Sequence, residues 1–211
     1  MNRGVDKRSI AQSDKDRLRF VKDLLFLNNT ERVENSNYFL KQGEGRPMTG
    51  HERLVTIHAW ALMGNHYHIL LSENIEAGVS LFLKKFNAGY SKYFNLKHNR
   101  SGALFQGKTK RVLIENDRQF LYILPYIHLN PLDFMSGADG WRTQCLTNPK
   151  AALKWVANYR WSSYRNYTGE SEFVEILEGS ELFEDRKVHV LETERFLKEM
   201  ADPALTRLNL E

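Results

Sequence analysis

His58-Ala-Trp-Ala-Leu-Met-Gly-Asn-His-Tyr-His-Ile-Leu-Leu71 decides the reading of this 211-residue chain. From Leu54 to Leu71 the pattern is that of two strands meeting near Met63-Gly-Asn65, with Gly64 and Asn65 as the natural turn residues. On the second strand His66 and His68 are one residue apart. Successive strand side chains point to opposite faces, so the two imidazoles stand on one face roughly 7 Å apart. Such a pair can share a metal ion, and it can equally be polar filler that has found hydrogen-bond partners in a sheet.

Ser13-Asp-Lys-Asp16 has the form of a capping box, and Leu18, Val21 and Leu25 follow at helical spacing. A first helix is therefore predicted from Asp14 to about Asn28. Gly43-Glu-Gly-Arg-Pro47 reads as a turn-rich connection into the strand pair. Beyond the pair, Val79, Phe82, Leu83, Phe86 and Tyr90 predict a long helix from Gly78 to about Asn95. Lys97 to Gly107 reads as a basic loop and Arg111 to Ile114 as a short strand. Helices alternating with strands of one sheet give an α+β fold with helices packed on an antiparallel sheet.

Charge is unevenly distributed. From Ala77 to Ile114 there is no Asp or Glu, while Lys84, Lys85, Lys92, Lys97, Arg100, Lys108, Lys110 and Arg111 give eight positive charges. The chain carries +4 overall, so the remainder sums to 4 − 8 = −4. Phe82, Phe86, Tyr90, Tyr93, Phe94 and Phe105 lie among these cations, a composition suited to neutralising phosphates and stacking unpaired bases. The bland alternative is an amphipathic helix with a solvated basic face. A carboxylate-free stretch beside a histidine pair favours nucleic acid.

Downstream lies Tyr126-Ile-His-Leu-Asn-Pro131. If it is helical, Tyr126 and Asn130 project from one face, placing a phenol beside an amide oxygen, while His128 points elsewhere as a structural residue. Asn130 before a proline also reads as a helix C-cap, and Tyr126 as a half-buried helix aromatic.

Four motifs, Trp60 to Leu71, Gly102-Ala-Leu-Phe-Gln-Gly107, Tyr126 to Pro131 and Tyr159-Arg-Trp-Ser-Ser-Tyr164, resemble in order and spacing those of the REP-associated tyrosine transposases. These are a branch of the single-tyrosine HUH (His-hydrophobic-His) transposases. The likeness runs from Asn2 to about Tyr167. It implies a ferredoxin-like or RRM-like sheet with the histidines on a central strand, and a transposase domain over residues 1–168. It also implies a divalent ion, Mg²⁺ or Mn²⁺, on His66, His68 and Asn130, with Tyr126 as nucleophile. The implied reaction cleaves and rejoins single-stranded or hairpin DNA through a covalent 5′-phosphotyrosine, by a monomer or homodimer. Three positions depart from the family pattern. The strand that usually precedes Asn2-Arg3-Gly4 is mostly missing, which removes ladder partners. Pro125 stands directly before Tyr126, where a kink or restart of the helix is expected. Gly64 replaces a frequent proline, which loosens the approach to the histidines and leaves their register intact.

Glu170 to Glu211 holds twelve acidic residues against five Lys or Arg, and residues 169–211 read as an acidic helical appendage on the surface. The lone Cys145 excludes an internal disulfide and a cysteine-based zinc cluster. No apolar run has transmembrane length and the polar N-terminus is no signal peptide, so a cytoplasmic protein is expected. A decayed or domesticated relative that grips hairpin DNA without cutting it is the competing reading. A barrel amidohydrolase using the His-x-His pair would need a longer chain and further His and Asp ligands, and would leave the basic segment unexplained.

Overall fold

The computed structural model describes residues 1–31, 52–143 and 146–199. The Gly43–Pro47 connection, Cys145 and residues 200–211 lie outside the described residues. The fold is α+β, a small antiparallel sheet with helices on its two faces. Its strands are β1 (Asn2–Arg3), β2 (Val55–Leu62) and β3 (His66–Glu73), in the order β1-β3-β2. The hairpin breaks where the sequence predicts, and β3 is the middle strand. Its register pairs Ala61 with His68 on one side and Arg3 with His66 on the other. The turn is pinned from outside: Gly64 O accepts from Ile10 N at 3.0 Å and Ser9 Oγ at 3.1 Å. Asn65 Nδ2 donates to Lys7 O at 3.1 Å, so the glycine does not leave the approach to the histidines loose.

α1 (Asp14–Phe26) starts at the predicted capping box, with Ser13 Oγ accepting from Asp16 N and the Asp16 carboxylate from Ser13 N. The helix ends two residues before the expected Asn28, whose amide is drawn to β2 and exchanges hydrogen bonds of 2.8 and 3.0 Å with Val55. α2 (Gly78–Lys97) runs two residues past its predicted end. A β-carbon at Gly78 would stand 2.1 Å from Leu54 O, so glycine is required where α2 crosses β2. Both helices cover one sheet face. The Tyr67 ring sits there 5.3 Å from Phe20 of α1 and 5.6 Å from Phe86 of α2.

This packing corrects one sequence expectation. Phe82, Phe86, Tyr90, Phe94 and Phe105 are buried in the core and cannot stack on bases; they are the apolar stripe of an amphipathic helix and its continuation. The predicted strand at Arg111–Ile114 is not formed either. The backbone bonds to the start of the chain come earlier: Val5 N donates to Leu104 O, Gln106 N to Arg3 O and Lys110 N to Met1 O, at 2.7 to 3.0 Å. Residues 104–110 thus run along the free side of β1 as an irregular edge. Across the sheet, Trp161 O and Ser163 N bond Leu62 N and Trp60 O and close the edge of β2.

α3 (Asp117–Leu129) lies on the opposite face and passes through Pro125 without a break. The helix does not restart at the proline; packing on the sheet and on the C-terminal helices holds it together there. α4 (Pro149–Asn158), α5 (Tyr164–Tyr167), α6 (Glu181–Glu184) and α7 (Arg186–Glu199) follow. α7 packs on α3 through Phe196, whose ring is 5.1 Å from that of Tyr122. Among the described residues no helix is long and apolar enough to cross a membrane.

Asp16 is the ionic tie between α1 and α2. It also meets Lys97 Nζ at 2.5 Å and His98 Nε2 at 3.1 Å. Burial alone would raise its pKa, but the bonds from Lys97, Gln12 N and Ser13 outweigh that and hold it at about 2. The stabilisation is full above the unfolded-state value near 3.8 and is lost as pH falls through about 2. Asp16→Asn is expected to cost about 2 kcal/mol at neutral pH. Urea denaturation from pH 7 down to 2 should show the gap between variant and parent closing at the acid end.

Candidate active site

The alternation of β3 sends Tyr67 into the core and turns His66 and His68 toward α3. The two imidazole centres are 5.0 Å apart, and the His68 ring lies 5.8 Å from the Tyr126 ring. The phenol is enclosed further by Tyr122, stacked at 5.6 Å, and by Trp141 at 6.0 Å. Strand and helix periodicity therefore bring together three of the four predicted site residues.

His66 Nδ1 is 2.7 Å from Asn65 Oδ1. An amide oxygen only accepts, so Nδ1 carries the proton and the Nε2 lone pair stays open. His68 is buried, and its Nε2 has no hydrogen-bond partner. Burial, with the nearby Arg3 charge, holds the His66 pKa down at about 4; Arg142 adds to this and Asp133 opposes it. Burial and the neighbouring His66 hold His68 well below the ordinary histidine range. Both rings are neutral at pH 7, the state in which imidazole binds a metal. An orphaned, buried ring nitrogen beside a second imidazole oriented by Asn65 is a donor set that fits a divalent ion. Among the described residues no group of three or more His, Cys, Asp or Glu side chains adds to it.

Asn130 caps α3, as the bland reading has it: its Nδ2 donates to Tyr126 O at 2.7 Å. Its Oδ1 accepts from Arg142 Nη2 at 3.0 Å, so the oxygen predicted to reach a metal already has a cationic partner. Arg142 also forms a two-pronged ion pair with Asp133, which accepts from Trp141 Nε1 at 2.7 Å. Asn65, Asp133, Trp141 and Arg142 were not foreseen. Asp133 follows Asn130 in the short 3₁₀ turn Asn130–Phe134, and Arg142 arrives from another 3₁₀ turn, Trp141–Thr143; neither has a periodic signal. His128 behaves as expected: fully buried, it meets Ser163 Oγ at 3.0 Å, away from the pair.

Comparison with family models, curated proteins and solved structures finds no match.

Several of the eight predicted cations hydrogen-bond within the fold. Lys85 Nζ donates to Asn29 and Glu31, Lys97 to Asp16, Arg100 to Asn95 and Arg111 to Ser80. Lys84, Lys92, Lys97, Lys108, Lys110 and Arg111 are exposed. A cleft of about 720 Å³ is lined by residues that include His68, Leu70, Ser72, Lys110 and Arg111. A second groove, about 520 Å³, is bordered by Lys84, Lys108 and Arg111. Arg111 is common to both.

A His66→Ala, His68→Ala double variant is expected to take up no Mn²⁺ in calorimetric titration while keeping the parent's far-ultraviolet circular dichroism. Undiminished uptake would make both imidazoles plain packing groups.

Proposed function

We propose that this chain cleaves and rejoins single-stranded DNA through a 5′-phosphotyrosine on Tyr126, as the REP-associated tyrosine transposases that its motifs resemble do. One observation carries the reading: two neutral imidazoles from β3 and a phenol from α3, far apart in sequence, meet at ring distances of 5.0 and 5.8 Å. The order of residues 104–110, β1, β3 and β2, with α1 and α2 on one face, supports the ferredoxin-like arrangement that goes with it.

His66 and His68 would hold Mg²⁺ or Mn²⁺, which when bound polarises the scissile phosphate and offsets the charge that builds on it. Tyr126 Oη attacks phosphorus; its bond to phosphorus forms as the bond to the 3′ oxygen breaks. The phenolic proton passes through solvent to the leaving oxygen. Attack by the 3′-hydroxyl on the phosphotyrosine reverses the exchange, so joining needs no other energy source. Tyr122 and Trp141 fix the phenol ring, and the exposed lysines bordering the two grooves draw in the phosphate backbone.

A hairpin-binding protein without cleavage is the second reading. Tyr126 is only 5% exposed, and the Asn130 oxygen is engaged by Arg142, which favour it. Incubation with labelled hairpin DNA and Mn²⁺, followed by a denaturing gel, separates the two. The parent should give a covalent adduct, and Tyr126→Phe none at nearly unchanged DNA affinity. An adduct in that variant would move the nucleophile to Tyr122.

Replacing Lys84, Lys108 and Lys110 by Gln should weaken binding and flatten the dependence of affinity on salt by up to about three counterions' worth. Replacing Lys85 and Lys97 should leave that slope nearly unchanged and lower thermal stability instead. The opposite pattern would take the DNA path away from these grooves.

A further inference from the structure

Arg142 stands between the groups of the site. Its Nη2 reaches Asn130 Oδ1 at 3.0 Å and Asp133 Oδ2 at 2.9 Å, and its guanidinium carbon lies 6.0 Å from the centre of the Tyr126 ring. It packs on the face of Trp141 at 4.2 Å, yet the side chain is still 31% exposed. A guanidinium is a planar fork that matches two oxygens of a phosphate. In its present place it also occupies the Asn130 oxygen, so that oxygen is not open to a cation.

We infer that Arg142 binds the phosphate of the incoming strand and gives up Asn130 in doing so, which makes DNA and the divalent ion enter the site together. This rests on the function proposed above and adds the order in which its site assembles. A strand phosphate offers the Nη2 donor a charged acceptor in place of a neutral amide oxygen, and Asp133 keeps hold of the other prong. The Asn130 oxygen, still oriented by its own Nδ2 bond to Tyr126 O, then becomes a third donor beside His66 and His68. Linkage requires the effect to be reciprocal: what the strand does for the ion, the ion does for the strand.

The test is calorimetric titration of Mn²⁺ into the full chain carrying Tyr126→Phe, which stops strand cleavage, with and without a single-stranded oligonucleotide. The oligonucleotide should tighten Mn²⁺ binding by about tenfold. With Arg142→Gln added, the DNA-free protein should already bind Mn²⁺ about tenfold more tightly and the oligonucleotide should add little. In chelator, the same variant should bind the oligonucleotide more weakly, with a salt slope shallower by about one counterion. Arg142→Lys, which keeps the charge without the fork, should restore the slope. A purely structural role would leave Mn²⁺ affinity equal or weaker in both variants and independent of the oligonucleotide, and that result overturns the inference. If instead the His66→Ala, His68→Ala protein binds Mn²⁺ as the parent does, the metal reading itself is at fault and the inference falls with it.

Discussion

The twofold alternation of β3 is the constraint on which the rest of the molecule depends. Tyr67 must face the core, where its ring meets Phe20, Phe86 and Phe105 and its hydroxyl donates to Asn87 at 2.8 Å. A strand offers no intermediate choice, so burying Tyr67 sends His66 and His68 to the other side. There they lose water under α3, and that loss accounts for their neutrality. The same step that completes one core leaves the unprotonated lone pairs of the site.

What holds α3 over the histidines is the sheet's far edge. In Tyr159-Arg-Trp-Ser-Ser-Tyr164, Ser163 Oγ accepts from Trp60 N at 2.9 Å and meets His128 Nε2 at 3.0 Å, so one hydroxyl ties β2 to α3. Tyr159 Oη donates to Leu62 O and Tyr167 Oη to His58 O, which anchor the segment along β2. This motif, one of the four that carry the family resemblance, is here a clamp. Burial holds His128 down at about 3, with a smaller push from His189, so its ring stays neutral in that clamp.

Elements with a period or a cap were legible in the sequence. The Ser13–Asp16 capping box, the hairpin at Gly64-Asn65 and the stripe of α2 each follow from a local rule, and each formed within about two residues of its expected bounds. Periodicity put Phe82, Phe86 and Tyr90 in that stripe; the base-stacking role drawn from composition is what failed. Phe82, Phe86, Tyr90 and Phe94 share a face, and that face was the core. Pro125 was expected to break a helix that tertiary packing keeps whole. Asp133 and Arg142 were invisible for another reason: they come from short 3₁₀ turns, and their pairing exists only once the chain has closed on itself.

The two lateral edges of the sheet carry a consequence for association. A bare edge strand presents a row of backbone donors and acceptors that another chain can extend. Here residues 104–110 occupy that row on β1, and Trp161–Ser163 occupy it on β2. Neither segment is a regular strand, and each ends after a few bonds, so neither passes a continuous ladder outward. A second copy or a peptide therefore meets side chains rather than open backbone at those positions. Pairing strand to strand would first require peeling the molecule's own border away.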